Sequence, residues 1–359
     1  MNHDYLIIGS GIAGLSVAHA LNNRGYKVAI FDRKGVGEGA SGTPVALINP
    51  VTGRRAKLCW RPEHCYNEAL HLLNKTESYS GERIGNTTGV LRPALFSKMA
   101  KKMRTSFQNQ SWPDGWVEWM DEKQVREKYP AVSCTGGAIW VKNGVKLNMG
   151  KYVSTLADML KNQGVDQYTN SEYSLMQNNE GWKLQTPDLQ LNAASVIYAT
   201  GSATAEDSKW SDMPIHPLKG QTAVFKSRKP LQFEYAISSL GYFSPQGKHH
   251  IGVGSTYEHD FENALPTKAA IEKLKSKLIR TLPYLQDSLT IKSQWAGVRA
   301  STPDKLPIVG SHKSLSNLYL LSGLGSKGLL YSTYLANMLV EHITENQPKA
   351  SEVDSKRYQ

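Results

Sequence analysis

The chain has 359 residues, long enough to divide into two domains, because a single hydrophobic core stops growing near about 250 to 300 residues. Its 42 lysines and arginines against 31 aspartates and glutamates leave a charge of +11, which favours any polyanion; nucleic acid is one candidate partner, and a generic basic surface is the other reading. Three cysteines without a C-x-x-C pair argue against a disulfide framework or a metal site, and with neither a secretory leader nor an apolar run of roughly 18 residues, no membrane span is expected and the chain reads as soluble and cytoplasmic.

Tyr5-Leu6-Ile7-Ile8 reads as a buried strand, and Gly9-Ser10-Gly11-Ile12-Ala13-Gly14 follows it directly, before a helix that ends at Arg24-Gly25. In such a strand–turn–helix Gly9 permits the tight turn, Gly11 lets a pyrophosphate approach the backbone, and Gly14 lets helix and strand pack closely. The helix start offers the anion its unpaired N–H groups and positive dipole end. Residues 27–31 form the next strand, closed by Asp32, an acid about 20 residues on that can accept both ribose hydroxyls. A dinucleotide site follows, although the motif alone does not choose between NAD and FAD.

Residues 35–44 form a small-residue loop that must lie against something flat or narrow, and residues 62–73 have helical spacing. Between 81 and 139, Trp112, Trp116 and Trp119 stand among polar residues with short mixed periods, which suggests a separate antiparallel region. Residues 149–162 read as a helix ended by Gly164, and residues 193–201 as a buried strand closing in a glycine turn that returns the chain to the first domain. From 222 to 253 the pattern is strand-like, with 241–245 and 250–254 as antiparallel neighbours. A helix over 268–280 is stopped by Pro283, its Lys273, Lys275, Lys277 and Arg280 forming a solvated face. The last unit is a strand at 318–321, a glycine turn at 323–328 and a helix from 329 to 342; the polar residues after Asn346 are expected to be disordered. Two further cation clusters stand out, Arg54, Arg55, Lys57 and Arg61, and Lys98, Lys101, Lys102 and Arg104.

Four separated elements agree: the opening turn with Asp32, the loop Gly39-Ala40-Ser41-Gly42, the stretch from Gly297-Val298-Arg299 to Pro307-Ile308-Val309-Gly310, and the last glycine turn. Together they resemble the D-amino-acid oxidase and glycine oxidase superfamily of flavoproteins. With Lys219-Gly220-Gln221, Gly241-Tyr242-Phe243-Ser244-Pro245-Gln246 and Leu324-Gly325-Ser326-Lys327-Gly328-Leu329, the chain is most similar within it to the FAD-dependent half of the MnmC tRNA wobble-uridine enzymes. The resemblance spans nearly the whole chain. It implies an α/β fold in which a Rossmann-like FAD-binding domain (1–80, 145–220 and 296–346) is interleaved with an α+β antiparallel-sheet substrate domain (81–144 and 221–295), followed by a polar tail at 347–359.

The implied cofactor is FAD, held non-covalently, because neither the segment after Gly42 nor residues 304–310 carry the histidine or cysteine by which some relatives attach flavin. Its implied contacts are Gly9, Gly11, Ile12, Ala13, Gly14, Asp32, Arg33, Ser41, Gly42, Ala46, Leu47, Tyr173, Thr200, Gly201, Leu324, Gly325, Ser326, Lys327, Gly328, Leu329 and Leu330. Relatives place a carboxylate-binding arginine at Arg299, and a guanidinium suits that task by its two-pronged planar match; the alternative is a structural ion pair with Asp304. Tyr242 is a candidate for the substrate pocket, with a core position as the other reading. No general base stands out, and His249 and His250 are not assigned.

Three functions are consistent with these residues. One is FAD-dependent removal of a carboxymethyl group from the wobble-uridine side chain of tRNA, with Arg299 holding the carboxylate; only four residues precede the first strand, so any methylation is expected to need a separate methyltransferase. Another is oxidation of a free small amino acid such as glycine, sarcosine or a D-amino acid. The third is a non-catalytic flavin-binding module that associates with RNA or an acidic membrane.

Overall fold

The structure, a computed structural model, describes residues 2–358. The predicted apolar run lies in β1 (Asn2–Ile8), the glycine turn leads into α1 (Ile12–Asn22), and β2 (Val28–Asp32) ends on the acid. Short strands β3 (Ala46–Ile48), β4 (Val51–Thr52) and β5 (Lys57–Leu58) precede α2 (Pro62–Ser80), which outruns its expected length and stops at Gly81, a left-handed C-cap with φ 68°. Next come β6 (Gly85–Thr87), β7 (Val90–Pro93), α3 (Ser97–Gln108), β8 (Val117–Met120), α4 (Glu122–Lys128), β9 (Ala138–Val141) and β10 (Val145–Leu147). The chain continues through α5 (Met149–Asn162), β11 (Asp166–Thr169), β12 (Ser174–Asn178), β13 (Gly181–Gln185), β14 (Gln190–Tyr198) and β15 (His216–Ser227). It closes with β16 (Ala236–Ser238), β17 (Tyr242–Pro245), β18 (His250–Gly254), α6 (Lys268–Thr281), β19 (Leu289–Ser301), β20 (Ile308–Ser311), β21 (Leu318–Ser322) and α7 (Gly328–Glu345).

Strands β11, β2, β1, β14 and β21 pair in parallel in that order, the Rossmann-like arrangement expected, with β20 antiparallel at one end and the β12–β13 hairpin extending β14. A strand inside a parallel sheet is covered on both faces, which is why β1 reads as a continuous apolar run. Tyr5 and Ile7 face a core shared with α1, α2, α5 and α7, whereas Leu6 and Ile8 face a second core with Trp182 and Trp210. Each fully buried aliphatic side chain there contributes about 1.5–3 kcal/mol.

The second sheet runs β19-β15-β18-β17-β16-β7-β9-β8. β17 and β18 pair antiparallel, as their patterns predict. The long strands β15 and β19 pair along their whole length, so one continuous ladder crosses both positions, 220 and 296, at which a change of domain is expected from the sequence. Leu274 and Leu278 of α6 close one face of this sheet. The other face carries α3, an element that the mixed periods of region 81–139 did not announce: Met99, Ala100 and Met103 turn inward while its lysines stay outside.

The polar tail is not disordered. Val353 is fully buried, Val309 N–H donates to Val353 O at 2.8 Å, and Arg357 pairs with Asp304 at 3.0 Å. Val353, with Ala350 and Tyr358 packed against the two cores, and a set of backbone and ionic contacts hold a segment whose composition is otherwise that of a solvated end. No helix among the described residues is long and apolar enough to cross a membrane, and no acid, histidine or cysteine cluster among them is arranged to hold a metal ion.

Candidate active site

A single cleft runs from the carboxyl ends of β1 and β2 to the second sheet. At its first end Gly9, with φ 111°, lies so close to β14 that a Cβ would meet Ala199 O at 2.5 Å, and Gly14 lies against Gly9 O at 1.8 Å from its own missing Cβ. α1 starts without a side-chain N-cap, and Ile12 N–H donates to Ser41 Oγ at 3.0 Å, which draws the small-residue loop onto the helix start. Asp32 also lines the cleft. Its Oδ1 accepts from Lys34 and Gly35 N–H, and its Oδ2 from Ser10 N–H and Oγ–H at 2.7 and 3.0 Å. The Ser10 hydroxyl also reaches Gly35 O at 3.1 Å, so turning to it frees one position on Oδ2 for an incoming hydroxyl.

The middle of the cleft is walled by Ala46 and Leu47 of β3, by Thr200 and Gly201 after β14, and by residues 324–330 at the start of α7. A Cβ at Gly325 would meet nothing within 4 Å, so this turn leaves open space beside the uncapped N-terminus of an 18-residue helix. Lys327 donates to Lys305 O at 3.1 Å and lies 5.0 Å over the Tyr331 ring; burial pulls its ammonium below the ordinary lysine range.

The far end rests on the second sheet. Arg299, on β19, lies across Gly220 of β15, where any side chain would occupy the guanidinium's place: a Cβ would fall 2.2 Å from Nη2. Tyr242, on β17, lies in the same way over Gly254 of β18. The Lys219-Gly220-Gln221 signature thus has a steric cause. Asp304 does not pair with Arg299, since it is taken by Arg357; instead Arg299 Nη1 donates weakly to Thr256 O at 3.5 Å and the guanidinium lies 5.1 Å from the Tyr257 ring centroid. Tyr242 Oη donates to Val45 O at 3.1 Å. Burial raises its hydroxyl above the ordinary phenol value, with Arg299's charge opposing, so it remains a proton-bearing donor.

The structure brings nineteen of the proposed site residues to this cleft and leaves four outside its lining, namely Gly14, Gly42, Arg33 and Tyr173. Gly14 and Gly42 serve close backbone approaches, the latter to Gly37 O. Arg33 faces Glu172 at 3.8 Å, and Tyr173 packs edge-on to Phe31 at 5.2 Å, on the sheet face away from α1. His249, which meets Ser227 O at 3.0 Å, and His250 also lie outside the cleft.

Sequence reasoning missed Arg92, Ser238, Tyr257 and Trp295, all of which line the cleft. Arg92, on β7, is buried and donates to Val51 O, Gly53 O and Ser238 Oγ, with no acid among its partners. Burial pulls it down to about 10. It clamps the β4–β5 hairpin to the sheet. The same hairpin borders a second groove lined by Arg55, Lys57, Lys98, Lys101 and Lys102, without an acid, so the two cation clusters converge there. Gln110 ties the groove together by accepting from Leu58 N–H at 2.7 Å and donating to Ala56 O at 3.1 Å. Arg54, Arg61 and Arg104 do not line it; Arg61 and Arg104 stack on Trp60 and Trp119. On the other side, Lys277 is no solvated lysine: it donates to Ser255 O at 2.8 Å, and burial, with Lys273 and Arg54 adding like charge, lowers it to about 8.

With this geometry in view, the comparison with known families is decisive: the family described as FAD dependent oxidoreductase (DAO) matches residues 4–342. The chain belongs to this family. It is similar to the tRNA 5-methylaminomethyl-2-thiouridine biosynthesis bifunctional protein MnmC of Thiobacillus denitrificans, at 26% identity over 98% of this chain and 58% of that protein. It is also similar to the glycine oxidase of Pseudomonas aeruginosa, at 23% identity over 97% of this chain and 96% of that one. The crystal structure of glycine oxidase from Bacillus cereus superposes with a TM-score of 0.84 at 23% identity, covering 97% of this chain and 96% of that chain. The chain therefore spans little more than half the length of the MnmC relative and almost all of the glycine oxidases.

As a member of the DAO family the protein is an FAD-dependent oxidoreductase acting on the C–N bond of amine or amino-acid donors. The cleft fits the cofactor: the Gly9–Gly14 turn and the uncapped start of α1 suit a pyrophosphate, Asp32 a ribose, and the open side of Gly325 with the start of α7 a flat ring bearing negative charge. Among the described residues, none lining the cleft is a histidine or cysteine.

Proposed function

We propose that the protein oxidises the carboxymethylaminomethyl group of a tRNA wobble uridine, releasing the carboxymethyl carbons as glyoxylate and leaving an aminomethyl nucleoside. FAD, when bound, accepts hydride from carbon next to an amine. Arg299 binds the substrate carboxylate and fixes the methylene carbon. Tyr242 keeps its proton and closes the pocket beside Arg299 without offering a base. A neutral secondary amine can lose hydride directly, and water then splits the resulting imine, so no general base is required. The absence of histidine and cysteine from the cleft lining supports non-covalent retention of the cofactor.

The observation that carries the tRNA reading is the acid-free groove of Arg55, Lys57, Lys98, Lys101 and Lys102, which shares the β4–β5 hairpin with the cleft that holds Arg299. A free amino acid has no use for such a track, whereas a phosphate backbone does. The similarity to MnmC supports it. A second reading, oxidation of free glycine or another small amino acid, is supported by the full-length similarity to glycine oxidases and by Arg299 alone.

Anaerobic mixing of holoenzyme with tRNA bearing the carboxymethylaminomethyl group, with glycine and with sarcosine separates them. Bleaching of the flavin absorbance by the tRNA, about a hundredfold more efficiently than by either amino acid, is expected if remote binding drives the reaction. Equal or faster bleaching by glycine or sarcosine favours the second reading, and no bleaching by any of them overturns the tRNA reading and assigns the flavin to a different amine donor.

A further inference from the structure

Tyr257 lies at the mouth of the cleft with 55% of its surface exposed, although the residues on either side of it are locked in place. Thr256 N–H donates to Gln221 O at 3.1 Å, and Glu258 exchanges both backbone hydrogen bonds with Lys219 at 3.0 Å. Beneath them Gln221 Nε2 donates to the two Glu258 oxygens at 2.9 and 3.0 Å, its own Oε1 accepts from Thr267 N–H at 2.7 Å, and the buried Lys219 ammonium stands 3.9 Å from Glu258. A single exposed aromatic ring is ordinary on a protein surface. Here the segment is an added edge on β15 whose backbone is held on both sides of the tyrosine, and the ring stands beside the carboxylate anchor, 5.1 Å from the Arg299 guanidinium and more than half exposed.

We propose that Tyr257 is a substrate-binding residue that stacks on a planar group carried by the amine nitrogen, and that this group is a nucleobase; the nucleobase rests on the tRNA reading above. A CH2–NH–CH2 tether spans about 5 Å by ordinary bond lengths. That reach matches the 5.1 Å between the Arg299 guanidinium and the Tyr257 ring centroid, so a planar substituent on a carboxylate held by Arg299 comes alongside the ring. Every nucleobase has a π-face, and a rigid tyrosine receives it with little loss of side-chain freedom. The cationic groove, which borders the same β4–β5 hairpin as the cleft, offers its lysines to the backbone flanking such a base.

The test compares N-benzylglycine with N-(cyclohexylmethyl)glycine, which share the carboxylate, tether and bulk but differ in planarity. Their dissociation constants are read from the perturbation of the flavin spectrum in the wild-type, Tyr257→Phe, Tyr257→Trp and Tyr257→Ala holoenzymes. The wild type and the two aromatic variants should bind the benzyl ligand about three to ten times more tightly than the saturated one, and Tyr257→Ala should bring the ratio close to one. A wild-type ratio near one overturns the proposal. So does a Tyr257→Ala protein that weakens both ligands equally, because the tyrosine then only props Arg299. If tRNA fails to bleach the wild-type flavin while the benzyl preference and its loss in Tyr257→Ala persist, the tRNA reading falls and the stacking role stands.

Discussion

Arg299 has a built environment: a neighbouring strand gives up its side chain at Gly220 to seat the guanidinium, and the only carboxylate close in sequence, Asp304, is held by Arg357. A cation left without an acid in a cleft is ready for one from outside, and a two-pronged guanidinium also sets the orientation of that carboxylate. Arg299→Leu should therefore lower kcat/KM by roughly a hundredfold or more while the purified protein keeps its flavin absorbance, and Arg299→Lys should recover only part of the loss. Steady-state kinetics at matched flavin content make the measurement; unchanged kcat/KM in Arg299→Leu removes the residue from the site. Residues of this kind differ in how far sequence exposes them. The Gly9 turn and Asp32 are legible because strand, turn and helix are contiguous, and Arg299 because its Gly-Val-Arg signature resembles that of known flavoproteins. Arg92 and Tyr257 were not legible, since what makes each notable is a distant partner: Val51, Gly53 and Ser238 for Arg92, and the Arg299 guanidinium for Tyr257.

At the scale of elements, α3 is the least expected part of the fold and the one that shapes its basic groove. Three lysines, Lys98, Lys101 and Lys102, occupy its first half, and no acid stands in its first turn. That arrangement opposes the helix dipole, which favours negative charge at this end by about 0.3–1 kcal/mol per group. A phosphate bound there would meet the lysines and the dipole with the same sign of attraction. Lys98→Glu with Lys101→Glu should weaken tRNA binding and flatten the dependence of log K on log salt by roughly 0.7 to 0.9 for each phosphate contact removed. Titrations of labelled tRNA at several salt concentrations read both quantities, and an unaltered slope would mean that the groove does not meet the backbone. The helix escaped prediction because only Met99, Ala100 and Met103 form its buried stripe, too few to stand out among tryptophans with short periods. By contrast α5 and α6 were readable almost to the residue from longer apolar stripes and clear stops, and α7 was readable in place but runs three residues past its expected end at His342.

For the whole molecule, stability against acid depends on His19, which is buried in α1 within the core shared by α1, α2, α5 and α7. Asn23 lies 2.9 Å from its Nε2, and its Nδ1 is buried without a partner. Burial is the main cause that lowers the imidazole from 6.5 to about 4, with Lys75 and His71 adding like charge. Because the folded value is the depressed one, the neutral ring's contribution is fully present above pH 6.5. Below that the unfolded chain takes up a proton that the fold refuses, so stability is lost as pH falls from about 6.5 to about 4 and the loss then levels off. A displacement of this size corresponds to about 3 kcal/mol. His19→Gln keeps a group that can accept from Asn23 but cannot titrate, and its unfolding free energy should fall less steeply over the same window by about that amount. Urea unfolding of both proteins between pH 7.5 and 4, at a constant excess of FAD so that cofactor linkage does not vary, provides the comparison. Parallel pH profiles for the two proteins would show that His19 is not the group whose protonation the fold resists.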